Sequence, residues 1–210
     1  MGRVSEVIKK KRANDQARTL RQAYDVSVLL GQCYAEVGRT DEARACFEGA
    51  VELRSELAGG YVGLGRLALE AGDVPRAAEH FEKALAVEEA SADAHAGLAE
   101  VAARQDRLAD AVTLYDGALR RDRDHRDAMR GLLAVSNRLG DHRRVAEALE
   151  DYLDRHPGDT AAMVQQAQVL IKTGRPERGK TVLENVLMLR PDDSEARALL
   201  SEFPVADTAR

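Results

Sequence analysis

The strongest constraint on the fold of this chain is a repeat of 34 residues. Gly31–Val51 reads "GQCYAEVGRTDEARACFEGAV", and Gly65–Leu85 reads "GRLALEAGDVPRAAEHFEKAL". Both segments keep a glycine, a second glycine seven residues later, and then alanine, an aromatic residue and alanine at identical offsets. Self-similarity at a fixed period of this length is typical of a chain built from stacked structural units.

Stepping along the chain by 34 residues extends the pattern to five units. The position of the second glycine is occupied in turn by Gly38, Gly72, Asp106, Gly140 and Gly174. Ala43 is followed by Ala77, Ala111, Val145 and Gly179, and Phe47 is followed by Phe81, Tyr115, Leu149 and Leu183. The predicted units are 24–57, 58–91, 92–125, 126–159 and 160–193.

Each unit is predicted to be a helical hairpin. Apolar residues at three- and four-residue spacing make one face of a first helix, and the turn glycine supplies the left-handed backbone that ends it. Asp73, Asp141 or Thr40 then offers a side-chain oxygen to the free amides that open the second helix. Because a single short hairpin cannot bury its apolar face alone, the five hairpins are expected to stack.

These residues resemble the tetratricopeptide repeat (TPR) family over 24–193. The resemblance implies an all-α fold, a right-handed α-solenoid of antiparallel helical hairpins. It also implies a C-terminal capping helix at 194–203, where the chain reads "SEARALLSEF", followed by a flexible tail at 204–210. Gln166, Tyr152 and Gly179 depart from the repeat, so we expect the fourth and fifth hairpins either to pack differently from the first three or to be looser.

The resemblance also implies a non-enzymatic adaptor or scaffold that binds a peptide or helix of a partner protein in a concave groove. Two alternatives stay open: a client-specific chaperone or assembly factor for a larger complex, and an accessory subunit buried in a larger machine. The expected groove residues are Gln32, Arg66, Glu70, Glu100, Arg104, Arg130, Asn137, Arg138, Gln165, Gln168 and Lys172.

Two features of the expected groove suggest what it binds. Gly63, Ala96, Gly97 and Gly131 are expected to leave its middle uncrowded. At the groove positions of the first two units, Asp25, Glu36 and Glu70 against Arg66 give a net charge of about −2. In the last two units, Arg130, Arg138 and Lys172 against Asp127 give about +2. We therefore expect a partner that is acidic where it meets the C-terminal half, since arginine grips carboxylates with two parallel hydrogen bonds.

No catalytic residue, cofactor or metal site is predicted. The five histidines lack the spacing of metal ligands, and no Cys-x-x-Cys motif occurs. The glycines of "GLGRLALEAG" lack the following Gly-Lys-Ser/Thr of a phosphate-binding loop.

Residues 1–23 fall outside the repeat and form a basic N-terminal arm that is predicted to be helical. Seven basic residues against two acidic ones give the arm a net charge of +5, whereas the whole chain carries −5. The arm, with Lys9, Lys10, Lys11 and Arg12 at its centre, either extends and caps the first hairpin or mediates self-association. In the second case the arm of one copy would lie in the acidic N-terminal end of a neighbour's groove, giving a homo-oligomer.

Nucleic acid is a disfavoured partner, because no aromatic residue accompanies the "KKKR" run and the rest of the chain is acidic. A membrane surface is similarly disfavoured, and no apolar run is long enough for a membrane span. The charged N-terminus does not read as a secretory signal, and the two cysteines are too few for a disulfide framework. We therefore predict a cytoplasmic protein.

Overall fold

A computed structural model of the chain describes the backbone of residues 2–203 and the side chains of residues 10–203. The predicted tail at 204–210 lies outside the described residues. Within residues 2–203 the chain forms eleven α-helices and no β-strand. The helices are α1 (Gly2–Glu36), α2 (Thr40–Leu53), α3 (Ala58–Glu70), α4 (Val74–Val87), α5 (Ala92–Arg104), α6 (Leu108–Arg121), α7 (Arg126–Leu139), α8 (His142–Arg155), α9 (Thr160–Lys172), α10 (Pro176–Leu189) and α11 (Ser194–Ser201).

Left-handed backbone at the predicted turn position follows the first helix of every hairpin. The φ angles are 75° at Gly38, 78° at Gly72, 60° at Asp106, 71° at Gly140 and 75° at Gly174. After α3, the Gly72 amide donates to the Leu69 carbonyl at 3.0 Å and the Asp73 amide donates to the Ala68 carbonyl at 2.9 Å. These bonds satisfy carbonyls at the helix end, so the turn prediction is confirmed.

The predicted helix caps are right at two positions and wrong at the third. Asp73 accepts a hydrogen bond from the Arg76 amide at 3.1 Å, and Asp141 accepts one from the Arg144 amide at 3.3 Å. Thr40 does not cap α2, because it is already the first helical residue. The cap position belongs to Arg39, which lies one repeat before Asp73 and makes no side-chain cap bond.

The second helix of each hairpin buries the residues that the repeat predicts. In α2, α4 and α6 an aromatic side chain lies between alanines on one face of the helix, and in α8 and α10 a leucine takes the place of the aromatic residue, so the repeat identifies a packing face. The buried sets are Ala43, Phe47 and Ala50 in α2; Ala77, Phe81 and Ala84 in α4; Ala111, Val112, Tyr115 and Ala118 in α6; Val145, Leu149 and Tyr152 in α8; and Gly179, Leu183 and Val186 in α10.

The chain divides into two compact units, Met1–Gly131 and Leu132–Arg210, with the division inside α7. In unit 1, α1 packs on α2, α3 on α4, and α5 on α6; α2 also packs on α3 and α4 on α5. First helices also meet directly, α1 with α3 and α3 with α5. In unit 2, α9 packs on both α8 and α10, and α10 packs on α11.

Two of the residues that depart from the repeat have clear structural roles in unit 2. Tyr152 is buried, and its hydroxyl donates to Asp159 Oδ2 at 2.8 Å, next to the N-terminus of α9. Gly179 lies where a Cβ atom would come within 2.8 Å of Ile171 Cγ1 and 2.9 Å of the Ala167 carbonyl oxygen. This helical glycine therefore allows close approach of α10 to α9.

Candidate functional site

Unit 1 contains a cleft of about 520 Å³, which we call the α1–α5 cleft. Most of the lining residues belong to α1, α3 and α5, the first helices of three successive hairpins. These helices share a surface because α3 contacts both α1 and α5. Its lining residues are Gln32, Ala35, Glu36, Phe47, Ala58, Gly59, Val62, Gly63, Arg66, Leu67, Glu70, Glu88, Ser91 and Asp93. Three predicted groove residues, Gln32, Arg66 and Glu70, therefore share one surface.

At three glycines of the expected groove, an aromatic ring from the preceding hairpin fills the space that the missing side chain leaves. A Cβ atom on Gly63 would lie 2.3 Å from the Phe47 ring, and one on Gly97 would lie 2.3 Å from the Phe81 ring. At Gly131 the corresponding distance to the Tyr115 ring is 2.1 Å. The expectation of an uncrowded middle is therefore wrong at these positions, because each ring of a second helix occupies the volume that the glycine of the next hairpin leaves.

The rim of the α1–α5 cleft is acidic. Glu36, Glu70, Glu88 and Asp93 line it, against one basic residue, Arg66. Arg66 Nη2 lies 2.5 Å from Asp93 Oδ1, which joins α3 to α5 by an ion pair. Since Arg66 is matched within the chain, the remaining carboxylates give the cleft its negative charge.

Asp93 also contacts His125, which precedes α7. His125 Nδ1 accepts the Ala128 amide proton at 3.1 Å, so the proton of the neutral ring lies on Nε2, 3.4 Å from Asp93 Oδ1. A second proton would strengthen the contact with Asp93 and break the bond from Ala128. Asp93 raises the pKa of His125 although burial opposes this, so the contact with Asp93 dominates. In turn His125, followed by Arg66, lowers the pKa of Asp93.

Glu100 and Arg104 form a second polar group in unit 1. Arg104 Nε lies 2.9 Å from Glu100 Oε1, and its Nη1 donates to the Leu69 carbonyl at 2.6 Å. The Tyr115 hydroxyl donates to Glu100 Oε2 at 3.1 Å. Burial, followed by the Glu100 charge, raises the pKa of Tyr115 well above its usual range. These predicted groove residues therefore tie α5 to α3 and α6.

The other predicted groove residues occupy different surroundings. Arg130 pairs with Asp127 on its own helix, with an N–O distance of 2.6 Å. In unit 2, Gln168 Nε2 donates to Glu195 Oε1 of α11 at 3.0 Å. Asn137, Arg138 and Lys172 are exposed and Gln165 is half-buried. The single groove through all five hairpins stays a prediction.

Unit 2 has a cleft of its own, of about 330 Å³, which the groove prediction missed. It is lined by Ala146, Glu150, Gln166, Leu170, Arg175, Arg178, Thr181 and Val182. In the sequence, only Gln166 indicated this cleft, because it replaces the leucine that the first four units keep at the same position. Arg175, Arg178 and Gln166 present hydrogen-bond donors beside apolar side chains, a combination that suits a carboxylate.

The basic arm continues directly into the first hairpin. Because α1 runs without a break from Gly2 to Glu36, the arm and the first helix of the repeat are one helix. Lys10, Lys11 and Arg12 are exposed on it. The side chain of Lys9 lies outside the described side chains.

The described residues contain neither a metal-binding cluster nor a helix that could span a membrane. Within residues 10–203, no group of three or more His, Cys, Asp and Glu side chains is arranged to hold a metal ion. Among the helices of residues 2–203, none combines the length and hydropathy that crossing a bilayer requires.

Comparison with known proteins agrees with the arrangement of the helices. Models of the tetratricopeptide repeat family match residues 21–90, 62–126, 105–162 and 138–203. No curated protein matches the sequence.

Three solved structures, each below 25% identity, illustrate the similarity of fold. YrrB, described as a TPR protein with an unusual peptide-binding site, is 19% identical with a TM-score of 0.60, over 82% of this chain and 89% of YrrB. TTC0263, a TPR protein of Thermus thermophilus, is 20% identical with a TM-score of 0.62, over 85% and 97% of the two chains. The pilF protein of Pseudomonas aeruginosa is 18% identical with a TM-score of 0.64, over 86% and 90%.

These similar structures support the fold. They do not identify the ligand, which has to be inferred from the residues of this chain, because one fold serves many functions. The predicted fold class, an all-α solenoid of antiparallel hairpins, is confirmed by the helices and by the similar structures. From its tandem hairpins, its turn and packing residues and the family matches over 21–203, the chain belongs to the tetratricopeptide repeat family.

Proposed function

We propose that this protein is a non-enzymatic adaptor that binds a peptide or helix of a partner protein in the α1–α5 cleft. The observation that carries the proposal is the combination of an apolar floor with an acidic rim. Phe47, Val62 and Leu67 lie on the floor, and Glu36 and Glu70 lie on the rim. A ligand of a few side chains fits a cleft of about 520 Å³.

The charges of the cleft define the partner segment. Glu36, Glu70 and Glu88 favour a lysine or arginine placed next to an apolar side chain. Arg66 is already paired with Asp93, so it is poorly placed to attract an acidic ligand. In unit 1 we therefore propose a basic and apolar segment.

For unit 2 we keep the proposal of an acidic partner segment. Lys172 is exposed at the end of α9, and Arg175 and Arg178 line the cleft of that unit. A longer partner would then carry basic residues for unit 1 and acidic residues for unit 2. Arg130 contributes less than the sequence indicates, because Asp127 neutralises it.

Peptide display against the intact chain tests the proposal. We expect the selected peptides to carry a basic residue beside an apolar one. Their affinity, measured by fluorescence anisotropy, should fall about tenfold or more in the double variant Glu36→Lys and Glu70→Lys, because each rim carboxylate becomes a repelling charge. The double variant Glu79→Lys and Glu82→Lys makes the same charge change on the exposed surface of α4 and should leave the affinity unchanged.

Two results would contradict the cleft as the site: selection of acidic peptides only, or equal affinity for the wild type and the double variant. The lifetime of the complex with the natural partner then separates two forms of the proposal. A stable assembly of several proteins fits a scaffold, whereas transient one-to-one capture fits a client-specific chaperone or assembly factor.

A further inference from the structure

The first helix exposes an apolar stripe on the side that faces away from the rest of unit 1. The exposed fractions are 62% at Val26, 60% at Leu29, 44% at Leu30 and 70% at Val37, and Cys33 between them is also exposed. Val26 and Cys33 are each three or four residues from Leu29 and from Leu30, so these four residues share one face of α1. Val37 follows directly after the last residue of the helix. The opposite face packs against the hairpin through Tyr24 and Gly31.

The same face is buried in the next two hairpins. One repeat after Val26, Leu29 and Cys33 stand Gly60, Gly63 and Leu67, all buried. A Cβ atom on Gly60 or Gly63 would meet Val51 or Phe47 of α2, so this face of α3 receives the second helix of the preceding hairpin. In α5 the corresponding residues are Ala94, Gly97 and Val101, beside Phe81. Among the described residues, Val26, Leu29 and Cys33 of α1 thus form a stacking face without its neighbour.

Residues 2–23 do not supply that neighbour. They belong to the same helix as the stripe, so they extend past it along the helix axis and do not fold back over it. An ordinary hairpin of the repeat would also fit poorly. Gly60 and Gly63 make room for an aromatic ring, whereas Val26 and Leu29 fill the equivalent volume with their own side chains.

The charged residues before and after the stripe favour a second copy of this protein as the partner that covers it. Within residues 10–25, Lys10, Lys11, Arg12, Arg18 and Arg21 precede the stripe, against Asp15 and Asp25, so the net charge is about +3. Arg21 is paired with Asp25 on its own helix, with an N–O distance of 3.2 Å. Glu36, Asp41 and Glu42 follow it, against Arg39. Two antiparallel α1 helices, centred on Leu29 and Leu30, bring the basic end of each copy beside the acidic end of the other, whereas a parallel pair brings like charges together.

We infer that the protein forms a two-fold symmetric dimer through the stripe Val26, Leu29, Leu30 and Cys33 of two antiparallel α1 helices, with the exposed Val37 directly after the end of each helix. Self-complementary burial of this kind is what a two-fold interface requires. The apolar stripe does not belong to the α1–α5 cleft, although Glu36 lies at the edge of both surfaces. It also differs from insertion of the basic arm into a neighbour's groove, because here the apolar stripe supplies the contact.

Sedimentation velocity of the full chain over a range of concentrations tests the dimer. The wild type should dimerise, and the double variant Val26→Glu and Leu29→Glu should dimerise about tenfold or more weakly, because four carboxylates would enter the apolar contact. Met188→Glu changes an equally exposed apolar residue, 73% exposed on α10, and should dimerise like the wild type. All three side chains are exposed in the single chain, so circular dichroism should report the same folded content.

A charge exchange tests the antiparallel pairing. The variant Arg18→Glu, Arg21→Glu should lose dimer, as should the variant Glu36→Arg, Asp41→Arg, because each brings like charges together. An equimolar mixture of the two variants should form a heterodimer, because opposite charges then lie beside each other again. A wild type that stays monomeric at all concentrations, or a dimer that survives Val26→Glu and Leu29→Glu, would overturn the inference; the first result would assign the stripe to another protein.

Discussion

At the scale of single residues, two helical glycines that look alike in the sequence have opposite roles. Gly49 in α2 has no atom within 4 Å of its missing Cβ position, whereas at Gly97 in α5 the Phe81 ring lies 2.3 Å away. Phe81 is fully buried, so its ring cannot move aside without disturbing the core of unit 1.

The first prediction compares alanine at these two glycines. Gly97→Ala should lower the free energy of unfolding by about 1–3 kcal/mol, because the added methyl group overpacks a filled site. Gly49→Ala should raise it by about 0.5–1 kcal/mol, because alanine loses less backbone entropy in a helix. Urea unfolding followed by circular dichroism measures both, and equal effects of the two substitutions would be evidence against the ring packing.

The second prediction concerns the pH dependence of the contact between His125 and Asp93. Because the folded-state pKa of His125 lies above its ordinary 6.5, the stabilisation is complete below about pH 6.5 and is lost as the pH rises through the folded-state value. On the acid side, Asp93 has a pKa below its ordinary 3.8, so its contribution persists above pH 3.8 and is lost as the pH falls through the lowered value.

Comparison with His125→Asn measures this contribution, since asparagine can still cap α7 but cannot carry the charge. The wild type should exceed the variant in unfolding free energy by more at pH 5.5 than at pH 8.5. The control is Asp93→Asn. In that background the pH dependence of the difference should disappear, and its persistence would assign the effect to another group.

At the scale of helices, side-chain caps distinguish hairpins that share the same turn. Asp73 caps α4 and Asp141 caps α8, whereas Arg39 and Arg107 at the same repeat position make no cap bond. Arg39 instead pairs with Glu42 and lies over the Tyr34 ring, 4.6 Å from its centroid. The second helices therefore differ in how their first amides are satisfied.

The third prediction is that Asp73→Ala lowers the free energy of unfolding by about 0.5–2 kcal/mol, because the Arg76 amide loses its acceptor. Asp73→Asn keeps an oxygen at the same place and should cost much less. Thermal unfolding of the two variants provides the comparison. A loss of the same size in both would trace the effect to the charge of Asp73 and not to its hydrogen bond.

At the scale of the whole molecule, the division into two compact units suggests how a local defect spreads. Phe81 belongs to the core of unit 1, and Leu183 belongs to the core of unit 2. In repeat proteins each hairpin is stabilised mainly by its neighbours, so damage should remain concentrated near the substitution.

The fourth prediction is that Leu183→Ala removes about 2–5 kcal/mol of stability from unit 2 by leaving a cavity. Native-state hydrogen exchange should accelerate first in α9 and α10 and much less in α3 and α4. Phe81→Ala should produce the reverse distribution. Uniform acceleration along the chain in both variants would show that the two units unfold together.

The sequence by itself determined the helices, their turns and their packing faces. These features depend on interactions a few residues apart or on a pattern that recurs every 34 residues. A left-handed turn residue ends a helix wherever it occurs, and Ala77, Phe81 and Ala84 lie on one face because of helical geometry alone. The family, the hairpin order and most of the buried residues could therefore be predicted.

Only the tertiary structure decided how side chains from different hairpins combine. The sequence predicted open space at Gly97, but the Phe81 ring lies there. It also predicted that Arg66 faces a ligand in the groove, but Arg66 pairs with Asp93. The stripe on α1 became visible only when the matching face of α3 was found buried. A repeat pattern specifies the face that a residue occupies, whereas the position of side chains across neighbouring helices specifies what that residue touches.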